Sequence, residues 1–423
     1  MRRIIRLLLS ALVVGGLALT TAVVVNRPGE IADVAIAARA IPEPKPATPY
    51  DQAVASLEEH SAALLRGDEK AWLAAVDVPL RPRYRAQFRA LRALEVFRFD
   101  YHPGYGKPVK GNPAAVTFSN EIAYCLSTDM CPGKTGSDWQ APPRIHQRLT
   151  MRPVGGRYVI TKLTPDETDN PNRPLPWEYD DLVALRGSRV TLLAAPAQRH
   201  LLSKLLPSAE AAARANDRFA ALAGTPQSRY RIYLAGEKQW RTWYGGEDDN
   251  WVLGKAIPLN MYGIDVTLRA KELEGDPLWL RVILRHELGH VVTLSGAFRT
   301  DWAEDTWLSE GIAEYIGWAP TAAGRTMRRS SVRWALGGAA PKSMVPARPG
   351  PKASDRAGDA FYGLSHLAVD CMAKKYGDVK LMTFVRLVLT EDNSYDQAAR
   401  DAYGVPFATL DRACVKWVRG QVL

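Results

Sequence analysis

Apolar and polar positions along this chain follow two periods in turn, and each change of period marks the boundary of an element. Over residues 53–65 apolar side chains recur at helical spacing. Gly67-Asp68 then stops that helix and caps a second, and residues 83–94 continue the helical pattern. Phe97, Phe99 and Tyr101 alternate with Arg98 and Asp100, which predicts a strand with one face buried. Residues 145–151 and 158–163 predict a hairpin turned at Gly155-Gly156. Helices followed by a curved antiparallel sheet predict a small α+β domain over residues 50–165.

An acidic, proline-rich boundary at residues 164–177 separates this from a second region, residues 180–423. Here a strand at 190–193, a long helix at 197–222 and strands at 230–234 and 264–268 lead into a strongly apolar helix. Asp276-Pro277 opens that helix as N-cap and first turn, and Ser295-Gly296 closes it. Its positions Leu278, Trp279, Leu280, Val282, Ile283 and Leu284 are mostly apolar, so the helix is expected to be buried. Residues 320–358 are rich in glycine, proline and arginine, including Arg325, Arg328, Arg329 and Arg333, which suits either a lid over a cleft or a solvated surface. Helices at 362–376, 379–389 and 407–418 complete an α+β chain without internal repeats.

The N-terminus changes the picture of where the chain resides. Residues 1–6 are basic, and residues 7–25 form an uncharged run of 19. As a helix this run spans about 28 Å, enough to cross a bilayer. Positive charge ahead of it predicts a cytoplasmic N-terminus and an extracytoplasmic remainder, so residues 1–25 are expected to be a transmembrane signal anchor in the cell membrane. A cleaved signal peptide is the alternative, and would leave the protein secreted. Thr20-Thr21-Ala22 makes a poor cleavage site within the apolar run, and Ala35-Ile36-Ala37 lies too far beyond it. Residues 26–49 end in a proline-dense stretch, Ile41-Pro42-Glu43-Pro44-Lys45-Pro46-Ala47-Thr48-Pro49, that stiffens a linker.

Four cysteines fit an exported chain with two disulfides, and their positions suggest Cys125 with Cys131 and Cys371 with Cys414. The net charge of +10 comes from 55 basic against 45 acidic residues, dispersed along the chain and unaccompanied by any nucleic-acid-binding motif. Nucleic acid is therefore not an expected partner. Such a surface suits anionic lipids or cell-wall polymers instead.

The chemistry concentrates at His286-Glu287-Leu288-Gly289-His290 and, 20 residues after the second histidine, at Glu310 within Trp307-Leu308-Ser309-Glu310-Gly311-Ile312-Ala313-Glu314-Tyr315. Histidines at i and i+4 share one helix face, so both imidazoles can reach a single cation. Glu287 points beside that cation rather than at it, where a general base for water is needed. A catalytic zinc takes three protein ligands and keeps a position open, and Glu310 can be the third.

These residues resemble the gluzincin metallopeptidases, in particular the aminopeptidase N-type and related peptidase MA-like families. Residues 301–313 look like the helix that carries the glutamate ligand there. The resemblance implies a thermolysin-like catalytic domain over residues 180–423, with a mixed sheet and a helical C-terminal part, although its sharp motifs span only 286–315. It implies Zn2+ held by His286, His290 and Glu310, with Glu287 as base. Glu314 falls where a related branch has an acidic residue that orients a histidine ligand. Tyr362 is the candidate for stabilising the oxyanion, its alternative role being packing, and His366 and Tyr315 are weaker candidates for the same neighbourhood. Residues 264–268, ahead of the zinc helix, are expected to be the sheet edge on which substrate lies.

Metzincins are set aside because Thr293 and Gly296 stand where they need glycine and histidine. The family's Gly-x-Met-Glu-Asn segment is absent, so aminopeptidase specificity does not carry over. The segment around Leu65-Arg66-Gly67-Asp68 is similar to the cone-shaped nuclear-transport-factor-2-like (NTF2-like) fold, which names no ligand and suits an accessory role. The resulting expectation is a membrane-anchored, extracytoplasmic zinc metallopeptidase acting on a peptide or protein. The alternatives are a non-catalytic zinc-containing binding protein and an amide hydrolase acting on cell-wall material.

Overall fold

Local signals account for the first helices. In the computed structural model, which describes residues 47–423 apart from 127–130, 132–138, 167–171, 248–250 and 299–302, helix α1 (Pro49–Arg66) starts at a reciprocal cap between Thr48 and Asp51. It stops at Gly67, whose φ of 78° is left-handed. Asp68 then caps α2 (Glu69–Ala74), and α3 (Arg81–Ala93) follows. The expected anchor, residues 1–25, and most of the linker lie outside the described residues. Among those described, no helix is long and apolar enough to cross a membrane.

Helices α1 to α3 pack on an antiparallel sheet of β1 (Val96–Pro103), β2 (Lys107–Val109), β3 (Asn112–Leu126), β4 (Arg144–Val154) and β5 (Arg157–Asp166), ordered β1-β3-β4-β5 with β2 beside β3. The β4–β5 turn places Gly155 and Gly156 at φ 56° and 81°, both positive, as a two-residue hairpin of this hand requires. Phe97 departs from its predicted inward position. The β1–β3 register slips between Val96 and Arg98, which turns Phe97 outward at 51% exposure while Phe99 is fully buried.

A single turn, α4 (Pro176–Tyr179), leads to the second sheet: β6 (Val183–Arg186), β7 (Val190–Ala194), β8 (Tyr230–Ala235), β9 (Gly254–Pro258) and β10 (Ile264–Arg269), with α5 (Arg199–Ala223) and the short α6 (Glu237–Trp240) between strands. The order is β6-β7-β8-β10-β9, parallel in the middle and antiparallel at both edges. The fold is thus α+β with one antiparallel and one mixed sheet. Alternate residues serve two cores. Leu192, Ile232 and Val266 join the apolar cluster of the helices behind the sheet, whereas Leu193, Tyr233 and Ala235 join the cluster of the first sheet. Residues 47–423 accordingly form one compact unit.

The strand expected to be the edge is internal. Strand β10 lies between β8 and β9, all six of its residues are buried, and the edge is β9. The alternation of Ile264-Asp265-Val266-Thr267 resembles that of a half-solvated strand because Asp265 is polar. It is nevertheless fully buried, paired with Arg231 and accepting a hydrogen bond from the Tyr244 hydroxyl at 2.7 Å. The true edge is five residues long, bounded by glycine and proline, and gives little periodic signal.

Helices α7 (Pro277–Leu294), α8 (Thr306–Trp318), α9 (Arg329–Leu336), α10 (Asp355–Tyr376), α11 (Asp378–Leu389), α12 (Tyr395–Tyr403) and α13 (Phe407–Val422) complete the chain. Gly311 brings α8 against α10 so closely that a Cβ there would lie 2.6 Å from the Ser365 carbonyl oxygen. The Ser354 cap starts α10 seven residues before Tyr362, so that tyrosine sits inside the helix rather than at its start. Disulfides join Cys125 to Cys131 and Cys371 to Cys414, the second tying α10 to α13.

Candidate metal centre

Two helices supply the centre. Asp276 caps α7 by accepting from the Leu278 amide, and one turn-spaced face of α7 then presents His286 and His290. Glu310 comes from α8. Nε2 of His286 lies 3.1 Å from Oε2 of Glu310, Nε2 of His290 lies 3.3 Å from the same oxygen, and the two nitrogens are 3.2 Å apart. Zinc–ligand bonds of 2.0–2.1 Å in a tetrahedron separate neighbouring donors by roughly 3.3 Å. The triangle of atoms therefore has the size that zinc requires.

The outer atoms of the two rings fix which way their inner nitrogens face. Nδ1 of His286 is 3.1 Å from Oε1 of Glu314, a carboxylate that accepts a hydrogen bond from it, and Nδ1 of His290 is 3.2 Å from Ser309 Oγ. With the protons on Nδ1, both Nε2 atoms carry lone pairs directed at the Glu310 oxygen. In that tautomer the three atoms could hold a cation between them, and two imidazoles with one carboxylate are a donor set that suits zinc.

Charge at the centre is strongly organised. Burial disfavours a charged His286, yet its bonds to Glu310 and Glu314 outweigh burial and lift its pKa to about 10 when no metal is bound. Burial would raise Glu310 and Glu314. The histidines and, for Glu314, Arg328 hold both well below the usual carboxylate range instead. Glu287 goes the other way: burial pushes its carboxyl up, despite the two adjacent histidines. Its Oε2 is buried and has no hydrogen-bond partner among the described residues. A buried carboxylate beside the metal donors, rather than committed to another group, suits a proton acceptor.

Tyr362 is brought to the site. Its ring centre lies 5.9 Å from that of His286, and burial and the Glu310 charge push its hydroxyl pKa well up, so it stays protonated. Tyr315 is elsewhere, its hydroxyl donating to Asp378 at 2.8 Å. His366 packs near Tyr315, and neither residue borders the cavities that flank the metal donors. Of residues 301–313, Asp301 and Trp302 lie outside the described residues.

Three contributors carry no assigned role at the site in the sequence reading. Ser309 sits beside the ligand in the chain, and its position one residue before Glu310 was the available signal. Gly254 on β9 lies so close that a Cβ would collide with the Glu287 carboxylate. Arg328 grips Glu314 and also pairs with Asp359, lying 4.6 Å above the centre of the Tyr362 ring. Arg328 is buried just ahead of α9 and borders the cavity beside His286, so this part of the arginine-rich segment is not a solvated surface. No spacing distinguishes it from Arg325, Arg329 or Arg333. No family model matches this chain, and no curated protein matches it significantly.

Proposed function

We propose that this chain is a zinc metallopeptidase of the gluzincin type, anchored to the membrane by its first 25 residues with its catalytic part outside the cytoplasm. The observation that carries this reading is the convergence of His286, His290 and Glu310 on one point, with Glu287 buried and unpartnered beside it. His286, His290 and Glu310 would hold the zinc ion, which would supply Lewis acidity toward a carbonyl and toward water. Glu287 takes the proton from the attacking water and passes it to the leaving amine, a role its raised pKa suits. Tyr362, kept protonated, donates a hydrogen bond to the carbonyl oxygen as negative charge develops on it. Glu314 and Ser309 hold the two rings in orientation through their Nδ1 atoms.

An extended peptide can add to the free side of β9, whose Gly254 leaves room beside the base. In this reading residues 180–423 are the thermolysin-like catalytic part, and residues 50–165 are an NTF2-like accessory part that spaces or recruits. The test is zinc content and hydrolysis of a quenched peptide library by the purified full chain and by its Glu287→Gln variant. One zinc per chain in both, with cleavage by the parent alone, is the expected result. Equal cleavage by both would remove Glu287 from the chemistry, and absence of stoichiometric zinc from the folded parent would overturn the metal centre.

A further inference from the structure

A cavity of about 260 Å³ opens beside His286 and Glu287, on the side where Arg328 and Tyr362 lie. Its walls are apolar, formed by Trp251, Trp279, Val282 and Ile283. Its charged lining is mainly acidic, with Glu272, Asp355 and Asp359 added to Glu314, and Arg328 is the guanidinium among the lining residues. That cation is already committed. Arg328 holds Glu314 through Nε at 2.6 Å and Nη2 at 2.9 Å, and its Nη1 pairs with Asp359. Glu272 forms a loose ion pair with the exposed Lys271, at 3.7 Å, and no ion pair engages Asp355 among the described residues. The lining therefore carries a surplus of negative charge.

The acidic residues are tied to the reacting position by a separate feature. Glu287 lines the same cavity, and its Oε2 is the buried oxygen without a partner. The second cavity that borders the donors, about 400 Å³, is more evenly balanced, with Lys255 and Arg348 in its lining beside Glu247 and Glu310. A side chain suited to the first cavity needs a long apolar stem to cover aromatic and aliphatic walls and a cationic head to meet carboxylates. Lysine and arginine have both, whereas a carboxylate side chain would meet like charge.

We infer that the cavity lined by Trp279, Glu272 and Asp355 is a specificity pocket that admits a lysine or arginine side chain next to the scissile bond, making the substrate a basic peptide. This rests on the peptidase reading. The test uses three quenched peptides identical except for Lys, Leu or Glu beside the scissile bond, on either side of it. Cleavage is measured with the zinc-loaded full chain, and binding of the intact peptides to Glu287→Gln by fluorescence anisotropy.

Lysine is expected to exceed leucine, and leucine glutamate, at one of the two positions in both measurements. The double variant Glu272→Gln/Asp355→Asn is expected to lower the lysine-to-leucine ratio about tenfold, the size of two partly exposed charge interactions. Cleavage with no preference for lysine, or a ratio unmoved by the double variant, overturns the pocket assignment alone. Failure of all three peptides to bind or be cleaved by zinc-loaded protein overturns the peptidase reading and the pocket with it.

Discussion

Arg328 holds both carboxylate oxygens of Glu314, at 2.6 and 2.9 Å, while Glu314 faces Nδ1 of His286 at 3.1 Å. The His286 ring is thus oriented by a carboxylate that is itself fixed by a buried guanidinium. Glu314 is 1% exposed, so it cannot exchange Arg328 for water.

Arg328→Met should therefore act twice. Leaving Glu314 buried without its cation is expected to cost about 3–5 kcal/mol in urea unfolding of the metal-free protein. The carboxylate, left with the Trp318 indole as its remaining donor at 2.9 Å, fixes His286 less firmly, and zinc affinity is expected to fall about 10–100-fold in competition with a chelator. Unchanged zinc affinity in a folded Arg328→Met protein would show that Arg328 serves packing alone.

Gly254 offers a separation of chemistry from stability. A Cβ there meets the end of the Glu287 side chain, which can swing away, rather than backbone, which cannot. Gly254→Ala is expected to keep its zinc and nearly its full melting temperature while kcat/KM falls about 100-fold, the scale of a misplaced catalytic group. Full activity in this variant would place the working position of Glu287 away from β9.

What could be read from the sequence was local, and what could not was tertiary. The i, i+4 histidines, the Thr48 and Asp68 caps and the Gly155-Gly156 turn each depend on residues within one turn of one another. That Glu310 joins the two histidines was legible because its helix carries a recognisable segment. Arg328 depends on meeting Glu314 14 residues away and Asp359 31 away, and its neighbours in the chain are also arginines. Strand β9 was hidden by its length, and β10 was misplaced because a buried Asp265 imitates a solvated position. Tyr362 was placed at a helix start because the polar first turns of α10 lack apolar periodicity.

The two disulfides should contribute unequally. Cys371 and Cys414 are 43 residues apart and Cys125 and Cys131 six, so closing the larger loop removes more entropy from the unfolded chain. The loop-entropy relation gives about 4 kcal/mol for the first and about 2 kcal/mol for the second. Paired Cys→Ala replacements, followed by thermal unfolding, should show the Cys371/Cys414 variant losing the greater stability. A larger loss from the Cys125/Cys131 pair would mean that folded-state packing, not chain entropy, sets their worth.

His60 supplies a pH dependence unconnected with the metal. It is buried in an aromatic cluster, stacked on Trp72 with ring centres 3.5 Å apart and with Nδ1 2.8 Å from the Tyr101 hydroxyl. Burial lowers its pKa from 6.5 to about 3. The unfolded chain therefore takes up a proton near pH 6.5 that the folded chain refuses until about pH 3. Stability is fully present above 6.5 and falls as pH drops, by about 1.4 kcal/mol per unit across that window. Between pH 8 and pH 5 the loss from His60 alone is about 2 kcal/mol. His366, lowered to about 4 by burial, adds a loss of the same sign, so the contribution of His60 is isolated by comparing the parent with His60→Leu under the same conditions. The variant should lose about 2 kcal/mol less than the parent on going from pH 8 to pH 5 in urea unfolding. Equal losses in the two proteins would mean that His60 is protonated in the folded state, against its burial among Trp72, Tyr84 and Tyr101.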